Sequence, residues 1–143
     1  MRRCSRRLLI GAFVVYACLL AMLTHWPGMV VEGPVPRSDL LAHIGAFAVW
    51  GALLSLSGLP GRVGTRRNLL MTLGIGTAYA ALDEWSQQFF GRVSALDDFF
   101  ADVVGIVCGA MTAHVVGRVL NARPEGRKPR PGSDAQSTTG TPE

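Results

Sequence analysis

The stretch ALDEWSQQFFGRVSALDDFFADVVGIVCG, Ala81 to Gly109, decides the reading of the whole chain. It sets Asp83, Glu84, Arg92, Asp97, Asp98 and Asp102 among apolar residues numerous enough to cross a bilayer. A soluble domain would spread such charges over a wetted surface. Here they gather where one hydrophobic segment ends and the next begins, which points to a polar pocket at a membrane face. Ionisable side chains inside a spanning segment are costly, so they are usually paired or functional.

Working outward, the composition supports the same class. The chain is 49% hydrophobic and only 17% charged, with seventeen glycines; soluble domains carry about 25% charged residues, and glycine is commoner in membrane helices. The net charge of +4 does not indicate nucleic acid, because the arginines cluster between apolar segments. That placement fits topology determinants and contacts with anionic headgroups. Cys4, Cys18 and Cys108 are far apart and form no CxxC pair, so no disulfide framework or zinc spacing is indicated. No nucleotide loop is present either, and no cofactor is expected.

Four apolar segments predict an all-α integral membrane bundle of four transmembrane helices. Residues 1–7, MRRCSRR, form a basic amino terminus. Residues 8–24 are long enough to span, and the run continues past the length of a secretory h-region, so it reads as an uncleaved first helix. Residues 25–38, with three prolines and two glycines, read as a loop that carries Trp26 as an interfacial anchor. Ser38 reads as an N-cap, opening a second helix over 39–59 that ends at Leu59-Pro60-Gly61. Residues 60–68 read as a basic loop. The third segment is apolar or small only from Leu69 to Leu82, too short to span, so its helix must run on to about residue 90. Gly91 to Ser94 is a turn, and the fourth helix covers about 98–120. At ~1.5 Å per residue each of the last three is about 30 Å long, the thickness of the hydrocarbon core. Residues 121–143 hold four prolines and no aromatic residue, and are expected to be a disordered tail.

Orientation follows from the basic residues. The amino terminus has four, the 60–68 loop three and the stretch from Arg118 onward five; the other two loops have Arg37 and Arg92 alone. Positive charge is retained in the cytoplasm, so a four-helix chain has both termini inside. Asp39, His43, Glu84, Gln87, Arg92, Asp98 and Asp102 then lie toward the outer face.

These seven are the candidate site. Asp39 and His43 are four apart, Glu84 and Gln87 three apart, and Asp98 and Asp102 four apart, so each helix presents one polar pair on one face. Asp39, Asp97 and Asp98 also suit helix amino termini, where the dipole favours anions. Glu84 and Asp102 lie at least a turn inside their helices, and Arg92 is the expected partner, able to clamp a carboxylate with two parallel hydrogen bonds. Carboxylates with one imidazole suit several divalent metals, but no spacing selects one, so no metal is assigned. His25 and His114 stand at helix ends and read as interfacial. A stripe of small residues, Ala101, Gly105, Gly109, Ala113 and Gly117, recurs every four positions on the last helix. It serves close approach to another helix, either within the chain or in a homo-oligomer.

Several ordered elements resemble the VanZ-like family of small bacterial membrane proteins, over roughly residues 24–110. They are Thr24-His25-Trp26-Pro27-Gly28, Ser38-Asp39 with His43 and Phe47, Asp83-Glu84-x-x-Gln87 followed by Arg92, and Asp98-x-x-Ala101-Asp102-x-x-Gly105. Leu40 stands where the family pattern has lysine, Ile44 an aromatic residue, and Asp102 asparagine; Phe90-Gly91-Arg92 replaces the common Pro-Gly-Arg. The resemblance implies a multi-pass protein of the bacterial inner membrane, associated with the cell envelope. The family takes its name from low-level resistance to the glycopeptide teicoplanin; the resemblance assigns no reaction.

Two functions fit. In one, the outer pocket binds a lipid or glycopeptide-like ligand, or a second membrane protein. In the other, the protein is a membrane-embedded hydrolase or transferase on a lipid-linked envelope precursor, with Glu84 or His43 as general base. No activated serine or cysteine nucleophile stands near the acids in the sequence, which favours the first.

Overall fold

The computed structural model describes residues 3–26, 37–90 and 96–122. The turn at Gly91 to Ser94 with Arg92, most of the 25–38 loop and nearly all of the carboxy-terminal tail lie outside the described residues. The rest forms four helices: α1 (Arg3–Thr24), α2 (Ser38–Ser57), α3 (Arg66–Gln87, continued by a 3-10 turn over Gln88–Phe90) and α4 (Leu96–Ala122). α1, α2 and α4 are each long and apolar enough to cross a membrane. α3 is not among these because its inward face is polar or small: Asn68, Thr72, Gly76, Ala80, Asp83, Glu84 and Gln87 are buried. Its outward face carries exposed Leu70, Met71, Ile75, Leu82 and Trp85.

Several helix boundaries depart from the sequence reading: α1 begins at Arg3, inside the stretch read as a separate basic terminus, and α4 runs over Leu96–Ala122 rather than 98–120. Ser38 is not the cap of α2 but its first residue; Arg37 takes the cap position in the left-handed region, φ 62°, with no side-chain cap bond. α2 stops two residues early, at Gly58 with φ 68°, whose N–H returns to the Ser55 carbonyl. A left-handed glycine is a common way for a helix to end, because glycine has no Cβ to clash. α3 begins three residues before Leu69, because Thr65 accepts the Asn68 N–H and caps the helix. Asn68, read as a loop residue, is instead fully buried. It accepts a hydrogen bond from the Ser55 hydroxyl at 2.6 Å and donates to the carbonyls of Ser55 and Gly61 at 3.2 and 2.9 Å. It thereby fastens the start of α3 to the end of α2.

Neighbours in sequence run antiparallel. Phe13 meets Trp50 and Tyr16 donates to the Ala46 carbonyl, so α1 opposes α2; Asn68 meets Ser55 and Tyr79 meets Phe47, so α3 opposes α2 as well. α2 and α4 are parallel and form the most extensive contact of the bundle. Small residues permit it: a Cβ on Gly105 would lie 2.4 Å from the Ile44 carbonyl oxygen, and one on Gly109 would lie 1.9 Å from that of Ala48. From the other side, a Cβ on Gly51 would lie 2.9 Å from the Ile106 oxygen. Ala113 is buried on the same face, and at the far end Gly117 abuts the backbone of Gly64. Such backbone-to-backbone docking is how membrane helices associate without a hydrophobic driving force. Phe47, Trp50, Leu54 and Ile106 fill the remaining core, while α1 packs on α2 and α3 and stays largely exposed along its length.

This alternation sorts charge by end. Arg6, Arg7, Arg62, Arg66, Arg67 and Arg118 belong to one end of the bundle, and Asp39, Asp83, Glu84, Asp97, Asp98 and Asp102 to the other, where Arg37 is the exception among the described arginines. Cys4, Cys18 and Cys108 are free thiols on exposed surface.

Candidate functional site at the acidic end

The acidic end is built from the last turns of α1 and α3 and the first turns of α2 and α4. Asp102, one turn and a half into α4, is fully buried. Its Oδ1 lies 2.8 Å from Nδ1 of His43 on α2, and its Oδ2 has no hydrogen-bond partner among the described residues. With Asp102 ionised the carboxylate only accepts, and the His43 Nδ1 carries the shared hydrogen. Phe47, one turn further along α2, lies parallel to the His43 ring, and Tyr79 of α3 packs against both Phe47 and Trp50. The Glu84 and Asp98 carboxylates are within electrostatic reach of His43, as those of Asp83 and Glu84 are of Asp102. Two helices, α3 and α4, thus bring acids around an imidazole supplied by α2.

Of the candidates, His43, Glu84, Asp98 and Asp102 come together here. Asp39 does not; it stays exposed on the first turn of α2 while Arg37 pairs with Asp97 at the surface. Gln87 is buried, and its amide donates to Asp83 Oδ2 at 2.9 Å. Arg92 and its expected ion pair lie outside the described residues. Among the described residues no group of three or more His, Cys, Asp or Glu is placed to hold a metal ion.

The structure adds residues that the candidate set lacked. Asp83, 4% exposed, receives hydrogen bonds from Gln87 and, at 3.0 Å on Oδ1, from the Thr24 hydroxyl at the end of α1. His25 is not an isolated interfacial histidine. Its Nδ1 lies 2.8 Å from the Ala21 carbonyl and 3.8 Å from Asp83 Oδ1, and its Nε2 lies 2.7 Å from the hydroxyl of Ser86. The ring edge rests against Phe90. A serine does therefore stand beside a base and an acid, an arrangement the sequence reading did not include. Asp83 had a sequence signal, four residues before Gln87 on one helix face. The pairing of His25 with Ser86 had none, since it joins residues 61 apart.

No curated protein and no solved structure matches this chain. A family profile described as VanZ/LLP1 matches residues 10–117, from the first turns of α1 to the last turns of α4. The Asp-Glu-x-x-Gln run of α3, the buried aspartate of α4 and the histidine of α2 all fall within that match. With three helices apolar and long enough to cross a bilayer, this is a membrane protein, and it belongs to the VanZ/LLP1 family.

Proposed function

We propose that the protein is a four-span component of the bacterial inner membrane, with both termini cytoplasmic, whose acidic end opens toward the cell envelope and binds a lipid or glycopeptide-like ligand. Of the described arginines all but Arg37 lie at the opposite end, which supports the orientation, because basic residues are retained inside. α3 crosses with its polar stripe turned inward and its apolar side toward lipid.

The observation that carries the binding reading is Asp102. A fully buried carboxylate whose second oxygen lacks a donor among the described residues is expensive in a membrane interior, and a purely structural pair would be expected to satisfy both oxygens. A ligand bearing hydroxyl or ammonium donors would satisfy it. A glycopeptide carries such groups, as do many lipid headgroups, which links this site to the resistance phenotype behind the family name. A lipid-resolved mass spectrum of the purified protein tests this. Wild type should retain a bound lipid, or added teicoplanin, that Asp102→Asn and Glu84→Gln lose. Identical retention by all three proteins would remove the site from the binding surface.

A further inference from the structure

We infer that Ser86 and His25 form a nucleophile and general-base pair that acts on a carboxylic ester of a membrane amphiphile. The inference rests on the proposed arrival of ligands at the acidic end, and adds chemistry to it.

The tautomer follows from the partners. The Ala21 carbonyl can only accept, so the His25 Nδ1, 2.8 Å away, carries the hydrogen. In the neutral ring Nε2 then holds the lone pair, and it faces the Ser86 hydroxyl at 2.7 Å. Ser86 Oγ is also 2.9 Å from the Asp83 carbonyl, one turn back in α3, so rotation about the Cβ–Oγ bond moves its hydrogen from the helix backbone to the imidazole. The base is oriented by a third group, as an activated nucleophile requires. Here that group is a backbone carbonyl, with the Asp83 carboxylate 3.8 Å from Nδ1 to stabilise the imidazolium that forms. Thr24 and Gln87 hold that carboxylate by its two oxygens. Ser86 and His25 are both half-buried, unlike Asp102.

Position selects the substrate class. Exposed Trp26, Trp85, Phe89 and Phe90 flank the pair, and such aromatic side chains favour the headgroup level, where the ester bonds of amphiphiles lie. The carboxylates of Asp83, Glu84, Asp98 and Asp102 make this end unfavourable for an anionic phosphoryl centre and leave a neutral carbonyl as the better electrophile. In the reaction, Ser86 Oγ bonds to the ester carbonyl carbon as its proton passes to His25 Nε2. The carbon–oxygen bond to the leaving alcohol breaks, and that alcohol takes the proton from Nε2. Water then gives a proton to Nε2 while its oxygen bonds to the acyl carbon, and Ser86 recovers its proton as the acid departs.

The competing account is a clip, in which the same hydrogen bond only fastens α1 to α3. A fluorophosphonate probe separates the two on the full-length protein in lipid nanodiscs. The expected result is one adduct, mapped to Ser86, absent in Ser86→Ala and formed about 100-fold or more slowly in His25→Gln. Asp83→Asn should slow it less than His25→Gln does. Absence of an adduct on the folded wild type, an adduct elsewhere, or an unchanged rate in His25→Gln would each overturn the inference, and the first needs no variant to fold. The probe carries no lipid, so failure to label leaves the binding reading standing, and loss of lipid retention leaves the labelling result intact.

Discussion

Replacing Gly109 by alanine adds a single methyl group, and the geometry sets how much it should cost. The new Cβ would fall 1.9 Å from the Ala48 carbonyl oxygen, 2.8 Å from its carbon and 2.9 Å from the Ala52 nitrogen. All three are backbone atoms, so no side chain can swing aside. Restoring ordinary contact requires α2 and α4 to separate by about 1.5 Å at this level. That shift also loosens the approach of Gly105 to Ile44, four residues away on the same face. Overpacking usually costs about 1–3 kcal/mol, where side chains absorb part of the strain. The expected loss here is at least about 3 kcal/mol, roughly a hundredfold in the folded-to-unfolded ratio. Gly74→Ala is the matched control, since a Cβ there meets nothing within 4 Å. The same change in helix propensity should make it neutral or more stable by up to about 1 kcal/mol. Reversible unfolding of both variants in mixed micelles of increasing dodecyl sulfate content, followed by tryptophan fluorescence, gives the two values. If Gly109→Ala were as stable as Gly74→Ala, α2 and α4 would not dock backbone to backbone.

Three further outcomes are expected. His43→Leu should destabilise by about 3–5 kcal/mol by stranding the buried Asp102 carboxylate, and His43→Leu with Asp102→Leu should recover much of it; the same unfolding assay reads both. Asn68→Ala should cost about 1–3 kcal/mol, because the Ser55 and Gly61 partners are left unsatisfied, and proteolysis should then be faster in the 58–65 connection. Alkaline phosphatase fused after residue 34 or 95 should be active and after residue 64 or 125 silent; activity at residue 125 would give an odd number of spans.

The helices were legible because apolar runs of spanning length leave few alternatives, and the acidic cluster because its charges interrupt such runs. Cap chemistry hid the helix ends. Arg66 and Arg67 read as loop residues by charge, yet Thr65 draws both into the first turn of α3. Pairing across helices was hidden as well. His43 and Asp102 were both candidates, but their bond spans 59 residues, and nothing in their spacing favours it over a bond to Arg92. Gln87 lies three residues from Glu84 and four from Asp83, both good helical neighbours, and its hydrogen bond goes to Asp83. His25 carried no signal of Ser86, because its role depends on α1 and α3 running in the same direction.

The contact between α2 and α4 joins segments separated by the whole of α3, which orders events during synthesis. While α4 is still within the ribosome, the backbone ridge of Ile44, Ala48 and Ala52 has no complement, and the buried acids of α3 lack one wall. α3 is also the least apolar of the four and the one least able to settle alone in lipid. Arrival of the final helix therefore completes the ridge and shelters α3 in one event. A chain halted before α4 would leave the ridge of α2 and the polar face of α3 without their covering helix.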